Sequence, residues 1–100
     1  MAKRNMKESD ITKQILDTLK GCGVWAWKHW SGPMSHIGIA DILGIYQGKF
    51  LAIEVKGPRG KVSDAQSRFL RNIEEHGGIA FVARSVEDLK LHMPDLPIMF

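Results

Sequence analysis

The stretch FLAIEVKGPRGKVSDAQ, residues 50–66, passes from an apolar strand to the start of a helix. Leu51, Ile53 and Val55 alternate with Ala52, Glu54 and Lys56, the two-residue period of a strand with unlike faces. One face is apolar and belongs in a core. The other sets Glu54 and Lys56 side by side. Gly57-Pro58 breaks the strand, because proline has no backbone N–H to add to a ladder. Arg59 and Lys61 make the following loop basic. Ser63 and Gln66 then form an S-x-x-Q pattern that caps a helix.

Upstream, ADILGIY (residues 40–46) and KFLAIEVK (residues 49–56) flank Gln47-Gly48, a hairpin signal. A two-residue turn pairs Tyr46 with Lys49, Ile45 with Phe50, Leu43 with Ala52 and Asp41 with Glu54. A four-residue loop keeps that register, and a three-residue loop moves it by one. In the first register Asp41 and Glu54 oppose each other on the face that carries Lys56. Opposed like charges destabilise a sheet, so something positive belongs between them.

Two carboxylates and an ammonium around one point suit a hard cation, Mg²⁺ or Mn²⁺, with water and phosphate completing its shell. Such an ion polarises a phosphoryl oxygen and acidifies a bound water. Lys56 would orient that water or offset charge on the phosphate; a role as base would need a depressed pKa. Geometry alone leaves two other readings open. Asp41, Glu54 and Lys56 can lie on a solvated sheet face, or form a carboxylate–lysine pair with a structural role.

Further out, residues 6–20 read as an amphipathic helix with Ile11, Ile15, Leu16 and Leu19 as its stripe. Asn5 with Glu8 forms a possible capping box and Gly21 a C-cap; Ser9 is an alternative cap that starts the helix later. Residues 24–30 read as an aromatic strand, ended by Ser31-Gly32-Pro33 and a loop over 34–39. The capped helix carries Ala65, Phe69, Leu70 and Ile73 inward and stops at His76-Gly77-Gly78. IAFVAR (residues 79–84) reads as a strand buried on both sides. Ser85 and Asp88 cap a short last helix, and the tail HMPDLPIMF packs on the body or at an interface. The predicted order is helix, three strands, helix, strand, short helix.

The 100 residues suggest one domain over 1–100. A composition of 44% hydrophobic and 25% charged residues is globular. The net charge of +3 and pI near 9.2 permit a nucleic-acid partner without requiring one. The single cysteine, Cys22, excludes an internal disulfide and fits a reducing compartment. No apolar run is long enough to span a membrane and no cleavage signal follows the basic N-terminus, so a soluble, cytoplasmic protein is expected. His29, His36, His76 and His92 lack the spacing of a zinc site.

With these residues in place, GIADILGIYQGKFLAIEVKGPRGKVSDAQSRFL (residues 38–70) resembles the PD-(D/E)XK nuclease superfamily, and within it the virus-type replication-repair nuclease (VRR-NUC) branch. The similarity runs from about Glu8 to Leu89. It implies an α/β fold with a restriction-endonuclease-like αβββαβ core, a mixed sheet flanked by helices, and a short C-terminal helix. Asp41 matches the family's metal-binding aspartate. Glu54, Val55 and Lys56 match its E-V-K motif, with the Val55 backbone carbonyl among the metal ligands. Gln66 matches the glutamine that opens the next helix, a catalytic residue that contacts water or phosphate beside its capping role, and Glu8 the glutamate of helix one, reaching metal directly or through water. For Glu8 the alternative is service to its own helix N-terminus. Ala40 replaces the family's usual proline, and Lys28 stands where an arginine is common.

The resemblance further implies a Mg²⁺- or Mn²⁺-dependent endodeoxyribonuclease acting on branched DNA. Four-way (Holliday) junctions are the expected substrate, a homodimer the cutting unit, and a phage or prophage the expected source, acting in the host cytoplasm. Lys28, Arg59, Lys61 and Arg68 are the expected nucleic-acid contacts, by phosphate neutralisation without base reading. Trp25 and Trp27 share a face and Trp30 lies on the other; they stack on unpaired bases, or fill a core or dimer interface. Two competing functions remain at this stage. One is a nucleic-acid-binding module without catalysis. The other is a structural subunit that docks a partner through its tryptophans and the tail.

Overall fold

The computed structural model describes residues 6–30 and 38–98. Helix α1 (Glu8–Gly21) leads to strands β1 (Trp25–Lys28), β2 (Ile42–Tyr46) and β3 (Lys49–Val55). Helix α2 (Asp64–Glu75), strand β4 (Ile79–Ala83) and helix α3 (Asp88–His92) complete the chain. The four strands form one sheet in the order β1-β2-β3-β4. β1, β2 and β3 pair antiparallel, and β4 joins β3 parallel through the α2 crossover. This is the mixed sheet flanked by helices that the sequence predicts.

The hairpin has the two-residue turn. Gln47 (φ 52°) and Gly48 (φ 78°) both lie in the left-handed region that a type I′ turn demands. Tyr46 pairs with Lys49, Ile45 with Phe50 and Leu43 with Ala52, so the predicted register holds. The alternating faces follow from it. Leu51, Ile53 and Val55 join Ile42, Phe81 and Ala83 in a core closed by Ile11, Ile15 and Leu19 of α1 and Leu89 of α3. Met93 and Leu96 are buried in the same core, so the tail packs on the body. The opposite face carries a smaller cluster, Ala40, Ala52 and Ala80, under Leu70, Phe69 and Ile73 of α2.

The helix ends differ in detail from expectation. Lys7 is the N-cap of α1 and provides no side-chain cap; Ser9 lies inside the helix, and Asn5 falls outside the described residues. Glu8 and Asp10 in the first turn instead meet the positive end of the helix dipole. Gly21 is the last helical residue. The left-handed glycine that ends α1 is Gly23 (φ 78°), whose N–H reaches the Lys20 carbonyl. β1 stops at Lys28, two residues short of expectation, and the Ser31–Gly32–Pro33 break lies outside the described residues. At α3 the Asp88 carboxylate accepts from the Arg84 N–H at 2.8 Å, and no side-chain cap forms. Among the described residues no helix is long and apolar enough to cross a membrane.

β1 lies close on β2 because Gly44 has no side chain. A Cβ there would stand 2.6 Å from the Trp25 carbonyl oxygen and 2.9 Å from the Ala26 Cβ. Both are parts of a paired strand and cannot swing aside. Gly44→Ala should therefore cost about 1–3 kcal/mol of stability, seen as a lower urea midpoint at unchanged m-value. An unchanged midpoint would mean that β1 yields freely.

Candidate active site

Asp41 stands one residue before β2 and continues the hairpin register toward Glu54. Its carbonyl accepts the His29 N–H at 2.7 Å, which ties it to the end of β1. Its carboxylate Oδ2 accepts the Val55 N–H at 2.8 Å, which ties it to the end of β3. Asp41 is thus fixed from both sides, at the chain ends where the three antiparallel strands finish together.

Glu54 is buried, with 2% of its surface exposed. Oε2 accepts the Gln66 Nε2 donor at 2.9 Å and lies 3.6 Å from Lys56 Nζ. Oε1 is buried without a hydrogen-bond partner. Burial raises the Glu54 pKa most and the neighbouring Asp41 raises it further, while Lys56 offsets part of this; the result is about 7. A solvated sheet face does not describe this carboxylate. The Lys56 ammonium lies at one oxygen and leaves the other without a hydrogen-bond partner.

Gln66 comes from the first turn of α2, and the predicted capping box is formed. The Gln66 N–H donates to Ser63 Oγ at 3.1 Å, and the Ser63 N–H donates to Gln66 Oε1 at 2.9 Å. With its oxygen engaged in the cap, the amide must point its nitrogen at Glu54. Capping the helix and orienting the carboxylate are one conformation of one side chain. The segment before Asp41 locks onto the same turn. Gly38 (φ 90°) lies so near that a Cβ would stand 2.6 Å from the Ala65 carbonyl carbon and oxygen. Ala40, in the position where the family usually has proline, is fully buried beside Ala52 and Ala80.

Glu8 lies at the loop that follows β3. Its Oε2 accepts the Gly57 N–H at 3.3 Å, just past β3. It neither caps its own helix nor joins the carboxylate pair. Among the described residues no three of His, Cys, Asp and Glu gather as a metal cluster. Asp41 and Glu54 are the two that come together, with Val55 at the adjoining end of β3. Gly60 fits between Glu8 and Lys56, since a Cβ there would stand 3.2 Å from both Glu8 Oε2 and Lys56 Cδ. Sequence reasoning missed Arg84, whose guanidinium donates to the Gly57 carbonyl at 2.8 Å. The parallel pairing of Val55 with Ala83 brings Arg84 to that loop, a link visible only once the strand order is known.

Of the expected phosphate contacts, Arg59, Lys61 and Arg68 are exposed around the loop and first turns of α2. Lys28 alternates with Trp27 and so points away from the face of Asp41 and Glu54; its ammonium lies 4.8 Å from the Trp30 ring centroid. The tryptophans are not core. Trp25 and Trp30 are exposed, and Trp27 partly so.

A buried carboxylate with an unsatisfied oxygen beside a half-buried second carboxylate is a fitting receptor for a divalent cation, which takes oxygen ligands and neutralises both charges. No curated protein matches the chain. The VRR-NUC domain does, over residues 9–87, a span that contains Asp41, Glu54, Lys56 and Gln66 and begins one residue after Glu8. The chain therefore belongs to the VRR-NUC family, nucleases related to the PD-(D/E)XK superfamily.

Proposed function

We propose that this nuclease is a Mg²⁺- or Mn²⁺-dependent endodeoxyribonuclease of branched DNA, cutting four-way junctions as a homodimer in the cytoplasm. The observation that carries the metal-dependent reading is the bare, buried Oε1 of Glu54 beside Asp41. A module that only bound nucleic acid would have no use for a desolvated, unpaired carboxylate oxygen.

Asp41 and Glu54 would hold the cation with the Val55 carbonyl, and Glu8, one step away at Gly57, would reach it through water. When bound, the ion neutralises the carboxylates, polarises a phosphoryl oxygen and acidifies a water. Lys56 sets a positive charge beside Glu54 that offsets charge gathering on the phosphate. Gln66 holds Glu54 Oε2 and fixes the orientation of the carboxylate, so that Oε1 would be free to hold a cation. Arg59, Lys61 and Arg68 neutralise flanking phosphates, contacts that weaken as salt rises. The junction preference and the dimer rest on the family resemblance. They agree with a small domain that needs two copies to cut opposing strands.

Purified chain incubated with labelled duplex, flap, splayed-arm and four-way DNA, with Mg²⁺ or Mn²⁺ and an EDTA control, should cut the four-way substrate best. Asp41→Ala and Glu54→Ala should each lower that rate by roughly a hundredfold or more with circular dichroism unchanged. Full activity in both variants would remove these residues from the site, and binding without products under any metal would favour the non-catalytic module.

Glu54 also predicts a pH dependence. Its folded pKa of about 7 lies above the ordinary 4.5, so the folded chain keeps a proton that the unfolded chain releases. That stabilisation is full below pH 4.5 and is lost as pH rises through about 7, by on the order of 3 kcal/mol. In EDTA, Glu54→Gln should match wild type near pH 4.5 and melt higher above pH 7. Mg²⁺ or Mn²⁺ should raise the wild-type Tm at pH 8 and leave that of Glu54→Gln nearly fixed. Parallel melting curves for the two proteins across this range would contradict a desolvated Glu54.

A further inference from the structure

We propose that Trp25 and Trp27 form a stacking platform for unpaired bases, on which a single-stranded DNA segment runs into the Asp41–Glu54 site. This rests on the nuclease reading and adds to it the kind of DNA that enters.

The two indoles lie on the catalytic face of the sheet. Trp27 pairs with Leu43 and Trp25 with Ile45, while the His29 N–H meets the Asp41 carbonyl. Successive rows on this face are therefore His29–Asp41–Glu54, then Trp27–Leu43–Ala52, then Trp25–Ile45–Phe50. Helix α2 covers β3 and β4, and among the described residues no helix covers the other half of the face. Trp25 is 70% exposed, Trp27 38%, Ile45 38% and Phe50 37%. A bare apolar patch of this kind marks a binding surface.

The dimensions suit a nucleic-acid strand. Trp27 is one row from Glu54 along the strands, ~7 Å, and two strands across, ~10 Å. Together these give ~12 Å, a few nucleotides at ~3.4 Å each. Trp25 lies another ~7 Å along. The ring centroids are 5.0 Å apart with the planes tilted by 54°. The rings brace each other without stacking face to face, so their π-faces are not spent on one another. Trp30, with the Lys28 ammonium over its ring, lies beyond the strand and is not part of the platform.

Charge decides between a polyanion and a second copy. Lys56, Arg59 and Lys61 stand at the site end of the patch, while Lys49 alternates with Phe50 and so points to the opposite face. Cations at the site end of an apolar floor attract a phosphate chain that lays its bases along it. They repel an identical surface on a chain of net charge +3.

The test is fluorescence anisotropy in EDTA with a short labelled oligothymidylate, an abasic strand of equal length and a blunt duplex. Oligothymidylate should bind roughly tenfold or more tighter than the abasic strand. Trp25→Ala and Trp27→Ala should each weaken it roughly tenfold, with duplex binding unchanged and most affinity restored by Trp25→Phe or Trp27→Phe. Trp25 is exposed, so Trp25→Ala decides the matter if Trp27→Ala unfolds. Equal binding of the abasic strand, or wild-type affinity in Trp25→Ala, overturns the platform. So does a wild-type dimer in sedimentation that Trp25→Ala dissociates and oligothymidylate does not disturb, which would give the patch to a second copy. Junction cleavage without base-dependent binding would remove the platform alone. Base-dependent binding without cleavage under any metal would keep the platform and remove the endonuclease.

Discussion

A carboxylate taken out of water loses hydration worth several kcal/mol unless charge and hydrogen bonds replace it. Glu54 is in that position, and its partners replace only part of what it loses. Gln66 and Lys56 both approach Oε2. Asp41, held beside it by the Val55 N–H, makes matters worse. The metal-free chain meets the deficit by keeping a proton on Glu54 up to about pH 7. The neighbouring packing can be understood as what prevents these groups from moving apart to relieve the strain between them.

Three contacts do this. The capping box commits the Gln66 oxygen to Ser63 and so commits its nitrogen to Glu54. Flipping the amide would lose both bonds, which couples the start of α2 to the orientation of a residue on β3. Gly38 presses the segment before Asp41 against the same turn of α2. Ala40, Ala52 and Ala80 are small, so α2 settles near the sheet and shields Glu54 from water. On the far side Glu8 and Arg84 grip the N–H and the carbonyl of Gly57. The chain leaving Lys56 is thereby held to α1 and to the end of β4.

Much of this was legible, and for identifiable reasons. Alternation along residues 51–56 and the Gln47-Gly48 turn depend on local chemistry, and both the faces and the register came out as read. The Ser63–Gln66 cap is local too. What was not legible depends on tertiary approach. The depth of Glu54 follows from how near α2 lies, which three separated alanines decide together. The place of Glu8 at Gly57 was not legible, because neither that approach nor the return of Arg84 is written in neighbouring residues. The Asn5–Glu8 and Ser85–Asp88 caps matched a pattern that many non-caps also match; the former rests on a residue outside those described, and in the latter Asp88 turned to Arg84. Bulky tryptophans in a small sheet suggested a core or an interface. With one short helix across one half of that face, no other element among the described residues covers them.

The half-covered face also explains why the site lies where it does. Under α2 the surroundings are apolar, which strengthens every electrostatic interaction and shifts the Glu54 pKa. A phosphodiester cannot enter there. Beyond β3 the described residues leave the face open, where a strand can lie but charges are screened. The row His29–Asp41–Glu54 crosses from one regime to the other, with Glu54 beneath the helix and Asp41 at its margin. A site at this boundary has a desolvated ligand and an accessible approach together. That combination needs an asymmetric cover: a helix long enough to shield both halves would bury the approach, and one displaced toward β4 would hydrate Glu54.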